Sequence, residues 1–230
     1  DTVLWLESDR MGYLLGAVDQ ARLDEQRGVV QNEKRQGENQ PYGTVFNHIV
    51  KATYPEEHPY GHTVIGSMED LNAAKLEDVR DWFRTWYGPA NAVLVLAGDI
   101  KPEDAKAKVE QYFGEIPPGP PPSHPKSWVP KLAENQREVM FDRVAAPRIY
   151  KTWNIPELGH PDGELLDVAA YALAGDKNAR ITKRLVHDEE IATQVSASAG
   201  QLPTSSQLTD ISTAVTTALP LPWLAGSRTA

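Results

Sequence analysis

The chain has 230 residues, 40% of them hydrophobic and 24% charged, the balance of an ordinary globular protein long enough for one large domain or two small ones. A net charge of -9, with no dense Lys/Arg cluster, no aromatic-and-basic stripe and no Gly-rich phosphate loop, argues against nucleic acid as a partner. The absence of cysteine removes disulfides, thiolate metal ligands and Cys nucleophiles together.

No run approaches the length of a membrane span, and Asp1–Trp5 has no basic n-region. A soluble protein is expected, in bacterial periplasm or cytoplasm. The chain starts without Met inside a helical pattern, so it reads as part of something longer.

Leu4, Trp5, Met11, Leu14, Leu15 and Val18 recur at helical spacing and predict a helix over 2–18 with a core-facing stripe. A mostly polar helix is predicted over 23–40, its apolar side limited to Leu23, Val29 and Val30. A third helix runs from about Pro41 to Tyr54, and "YPEEHPYGHTVIG", 54–66, reads as a loop. Ser67 opens a short helix with Glu69 and Asp70 in its first turn, where acids suit the dipole. Leu76–Tyr87 is a further helix with Val79, Phe83 and Trp86 along one side.

"NAVLVLAGDI", 91–100, is a continuous apolar run with a Gly-Asp exit and predicts a buried strand. "PEDAKAKVEQYFG", 102–114, has Pro in its first turn and Gly at its end, as helices often do. Seven prolines between 117 and 130 then make a stiff, extended spacer. Beyond it, "QREVMFDRV" (136–144) and "PRIYKTWNI" (147–155) alternate with period two and predict strands. Helices follow over 162–175 and 178–189, then strands over 192–200 and 207–218. The tail, 219–230, fits no element.

The expected fold is therefore α/β, an α+β sandwich of two related lobes. Each places helices on a mainly antiparallel sheet, and both are incomplete. The boundaries are 1–116, a Pro-rich linker 117–131, and 132–230.

The segments 23–36, 58–100 and 101–117 together resemble the insulinase-like (pitrilysin) zinc peptidases, in the branch of the mitochondrial processing peptidase and paired bacterial subunits. The likeness continues over 146–198, which resembles the start of that family's second, non-catalytic domain. It spans roughly residues 1 to 215. The resemblance implies a zinc-dependent metalloendopeptidase acting on peptides or unfolded proteins. Such enzymes hold zinc with two histidines of an inverted H-x-x-E-H helix and a glutamate on a later helix. The Glu inside the motif is the general base. The later glutamate closes an R-x-V-V-x-x-E stretch; here that is "RGVVQNE", 27–33, so Glu33 matches the third ligand.

The departure matters as much. No H-x-x-E-H occurs in the chain, and the element order suggests that it lay upstream of Asp1. One carboxylate does not hold catalytic zinc against water, so no catalytic residue is assigned and the chain alone is expected to be inactive. Domain 1–116 would be the second part of the metal-binding domain and 132–230 the first part of the non-catalytic one. The alternative is a non-catalytic interaction or scaffold subunit. Uncovered faces left by missing elements would favour a homo-oligomer or paired subunit.

The remaining candidates read as structural or surface groups. His58 and His62 of "HPYGH" are four apart, but Pro59 and Gly61 make this a loop rather than a helical metal face. His48, His124, His160 and His187 are scattered without carboxylates at a useful spacing. Glu56-Glu57 and Glu189-Glu190 read as solvated charge, no G-x-S-x-G occurs, and Trp82, Trp86 and Trp153 are assigned to packing.

Overall fold

The computed structural model describes residues 1–121 and 123–214. The tail and the end of the strand expected over 207–218 lie outside the described residues. The chain divides into two compact units, Asp1–Arg35 with Ile65–His124, and Gln36–Val64 with Pro125–Ala230. The last of the three boundaries, between His124 and Pro125, falls inside the proline spacer, and residues 36–64 group with the later part of the chain.

Helices carry the first unit. They are α1 (Thr2–Tyr13, extended by a 3-10 turn at Leu14–Ala17), α2 (Gln20–Glu38, whose last residues enter the second unit), α4 (Met68–Ala73), α5 (Leu76–Trp86) and α6 (Pro102–Phe113). Local chemistry sets their ends. The Ser67 hydroxyl accepts from the Asp70 N–H at 2.9 Å and caps α4. The Asp78 carboxylate accepts from the Lys75 N–H at 2.8 Å and caps α5. Pro102 starts α6, and its last turn closes at Gly114.

Helix α1 turns Leu4 and Ser8 inward against α6, and a Cβ at Gly12 would stand 3.0 Å from the Ile116 side chain. Met11, Leu15 and Val18 are half-buried along the same side. Trp5 and Leu14, expected in that stripe, are exposed. A four-residue step carries the contact face past them.

The apolar run 91–100 is not a strand here. After a 3-10 turn at Pro89–Asn91 it has no ladder partner among the described residues. Val93 is 91% exposed and Val95 79%. Its composition suits a buried strand, but burial needs neighbouring strands on both sides.

The second unit holds α3 (Val45–Thr53), α7 (Pro161–Ala174), α8 (Arg180–Thr182, running on as a π turn over Lys183–Asp188) and the sheet. Strands β1 (Arg148–Ile155), β2 (Ala192–Gly200) and β3 (Ser206–Ala214) are antiparallel in the order β1-β3-β2. Residues directly opposite share a face, so Val195 with Ser212 and Ala197 with Asp210 lie on one side. Gly163, Ala170 and Ala174 of α7 are buried. Ala174 meets Ala192 and Val195 in the core, with Ile181, Leu185 and Val186 of α8 closing it. Small residues on the helix let it sit close to the strands.

Segment 136–144, expected as a strand, is not one: Phe141 is 96% exposed and Val139 unpaired in any ladder. Trp82 and Trp153 are likewise exposed rather than packed into a core. The fold is thus α+β, eight α-helices with one small antiparallel sheet among the described residues.

Candidate functional site

Glu33 lies on α2, and the helix's other contacts decide which way it faces. The Arg27 guanidinium donates to the Ala74 carbonyl at the end of α4 at 2.6 Å, and Gln31 Nε2 donates to Asn72 Oδ1 at 2.7 Å. Both side chains point toward α4, and Lys34 is buried on the same side. Glu33 is two residues past Gln31, about 200° around the helix. It is exposed, in a row with exposed Gln26, Val29, Gln36 and Gly37. The fold therefore presents this carboxylate outward beside the half-exposed Val29.

No group of three or more His, Asp or Glu side chains able to hold a metal ion exists among the described residues. The donor set of a zinc site is consequently not assembled by these residues. Glu33 contributes one carboxylate, and a stable zinc centre needs three protein ligands or more.

The histidines divide into different roles. His58 is 1% exposed, far from the solvated loop residue that "HPYGH" alone permits. Its Nδ1 accepts from the Tyr60 N–H at 2.9 Å, so Nε2 carries the hydrogen and donates to the Trp128 carbonyl at 2.8 Å. The ring stacks on Tyr54 at 4.6 Å and meets Tyr60 and Trp128 at 5.4 and 5.0 Å. It fastens the end of the proline-rich segment to the 54–60 loop. His62 is exposed.

Two other histidines do have carboxylate neighbours, contrary to the sequence reading. His48 Nδ1 lies 2.8 Å from Glu138, a residue ninety positions away that spacing along the chain does not reveal. His160 lies 3.7 Å from Asp162 and caps α7 by accepting its N–H at 3.1 Å. Glu189, expected as free charge, pairs with Arg184 at 2.6 Å.

In the second unit, burial is the leading cause of a shifted acidity at two groups, Tyr54 and Asp210. Burial pushes the Tyr54 phenol above its ordinary value, with the Ser205 hydroxyl pulling the other way. Asp210 stands in the central strand on the face that α7 covers, and burial pushes its carboxyl up while Lys151 across the ladder pulls it down. One Asp210 oxygen is buried without a hydrogen-bond partner. Tyr54 has His58 stacked on it, with both ring nitrogens already bonded to backbone groups, and Asp210 has Lys151 opposite it in the ladder.

The sequence reading missed the Tyr54–His58–Tyr60–Trp128 cluster and Asn154, which ties two backbone carbonyls (below). Aromatic residues at alternating positions around a Pro-containing loop were the available signal.

A family model described as the Peptidase M16 inactive domain matches residues 73–219. The chain belongs to the M16 peptidase family. It is 25% identical over 201 residues to zinc protease PqqE of Helicobacter pylori, covering 84% of this chain and 44% of that protein. It is 30% identical over 96 residues to the zinc protease YmxG of Bacillus subtilis, covering 42% of this chain and 23% of that one. Among solved structures, a Helicobacter pylori protease superposes with a TM-score of 0.80 at 22% identity, over 97% of this chain and 54% of the other. A peptidase M16 inactive domain from Pseudomonas fluorescens gives 0.71 at 16% identity, over 85% and 47%. The chain thus spans about half the length of the relatives it matches. Among the described residues no helix is long and apolar enough to cross a membrane.

Proposed function

We propose that this chain is a portion of a zinc metalloendopeptidase, and that Glu33 is the third ligand of a zinc site whose histidines this sequence does not carry. One observation supports the reading most: α2 spends Arg27, Gln31 and Lys34 on its inner side and leaves Glu33, the last residue of "RGVVQNE", facing out beside half-exposed Val29. Once that face is covered, Val29 would exclude water beside the carboxylate, which suits a ligand position. In this reading residues 1–116 complete the metal-binding domain, 132–230 begin the non-catalytic domain, and the substrate is a peptide or unfolded protein. The chain pairs with a second copy or another subunit through its uncovered apolar segments, in a soluble compartment such as the bacterial periplasm.

The test is zinc binding by the pure chain in equilibrium dialysis. We expect no site tighter than about 10 μM and no chelator-sensitive peptide hydrolysis, since one carboxylate supplies too few donors. Stoichiometric tight zinc with turnover would overturn the reading.

A second reading, a non-catalytic interaction subunit, is favoured by the match of an inactive-domain model over 73–219. The two part company at Glu33. For an interaction subunit, Glu33→Gln leaves partner binding and the partner's activity unchanged.

A further inference from the structure

We propose that the second unit carries a docking cleft for an acidic, extended peptide segment, between the C-terminal end of α3 and residues 128–133. This is independent of the zinc reading. The cleft is open to solvent and has a volume of about 400 Å³. Its lining mixes Tyr54, Pro55, Trp128, Pro130 and Leu132 with Thr53, and the charged residues lining it among those described are Lys51 and Lys131. The ion pairs among the described residues of this unit include His48–Glu138, His160–Asp162 and Arg184–Glu189; Lys51 and Lys131 take part in none among those residues. In a chain of net charge -9, two ammonium groups without an ion-pair partner among the described residues, on one cleft, are a marked local reversal of sign.

The cleft is also held in shape. Asn154 Nδ2 donates to the Thr53 carbonyl at 2.7 Å and to the Pro130 carbonyl at 3.2 Å, joining the two walls. Gln207 Nε2 donates to Thr53 Oγ1 at 2.8 Å, and His58 holds the Trp128 carbonyl. The Asn154 bond also occupies one carbonyl at the end of α3, that of Thr53, which would otherwise face an anion. The bland account of Lys51 is that it complements the α3 dipole from the last turn. That account leaves Lys131 and the exposed Trp128 and Leu132 unexplained. Prolines at both walls and an exposed Trp suit an extended backbone, and two lysines with no competing acid in the lining select carboxylates along it. Glu56, Glu57 and Glu134 flank these residues in sequence but do not line the cleft.

The experiment is fluorescence anisotropy of the full chain with a short dye-labelled peptide of Glu, Leu and Pro, its Gln-for-Glu counterpart, and free glutamate as competitor. The Glu peptide is expected to bind at least about fivefold more tightly than the Gln peptide, and to weaken with added salt. Lys51→Glu with Lys131→Glu is expected to remove that difference, while Lys126→Glu, outside the cleft, keeps it. If the double variant fails to fold by circular dichroism, Lys51→Gln with Lys131→Gln replaces it with the same expectation. Equal binding of both peptides, no binding, or a preference that survives the double change overturns the proposal. Displacement by free glutamate at matched carboxylate concentration overturns the peptide class. Because no zinc is involved, failure here leaves the reading of Glu33 untouched.

Discussion

The two units are built on different principles. In the second, α7 and α8 close over a three-stranded sheet, with Ala170, Ala174 and Val195 buried between them. Long-range side-chain bonds then fasten loops to that core, His58 to Trp128 and Asn154 to Thr53 among them. In the first, Leu4 and Ile116 are the only hydrophobic residues fully buried among those described. Its helices rest instead on caps and short-range ion pairs, such as Arg84 with Glu77 and Asp81, worth a few tenths of a kcal/mol each. Its most apolar stretch, 92–97, is in solvent. The lesson is that local signals suffice to define helices, but a strand needs its neighbours.

The sharpest way to break this contrast is to place one charge in each unit. Ala170→Asp puts an unpaired carboxylate under α7, at 2% exposure, and is expected to cost more than about 3 kcal/mol and unfold the second unit. Val93→Asp, at 91% exposure, is expected to change stability by less than about 0.5 kcal/mol and to reduce self-association. Chemical denaturation and light scattering read both. Similar losses from the two would mean that 92–97 is packed in solution.

The next effect sits at the aromatic loop. His58→Ala removes two hydrogen bonds and three ring contacts at a fully buried position, for an expected loss of about 2–4 kcal/mol. Asn154→Ala leaves two carbonyls short of a donor and should lose about 1–2 kcal/mol. Urea midpoints near wild type for both would show the fastening to be idle.

Asp210 gives the smallest effect and the one with a pH signature. Burial raises its carboxyl in the folded state, so the folded protein holds that proton more firmly than the unfolded one. Its contribution to stability is therefore greatest below the ordinary Asp range and is lost as pH rises through the raised value. Asp210→Asn stays uncharged throughout. It is expected to raise the melting temperature by a few degrees at neutral pH and by less under acid, an order-of-magnitude figure for a domain of this size. An equal shift at both pH values would show that ionisation is not the cause.

The helices were legible in the sequence because their ends are chemical: Ser67, Asp78, Pro102 and Gly114 act within a turn of where they stand. Strand β1 was legible from its alternation. The runs at 91–100 and 136–144 were not, since apolar patterning tells what a segment can become, and pairing depends on strands elsewhere. His58 looked like a loop residue because its partners, Trp128 and Tyr54, meet it only through tertiary structure. Glu33 was singled out by the family resemblance of "RGVVQNE" alone, and its outward face emerged only from where Arg27 and Gln31 reach.

Glu33 is also where the account is most exposed to test. The direct measurement is the zinc content of this chain after it is joined to, or mixed with, a family polypeptide carrying an H-x-x-E-H helix, comparing wild type with Glu33→Gln and with the control Glu25→Gln on the same helix. The account predicts one tightly held zinc for wild type and Glu25→Gln, with affinity lowered at least about 100-fold by Glu33→Gln. Equal zinc affinity for all three would contradict it.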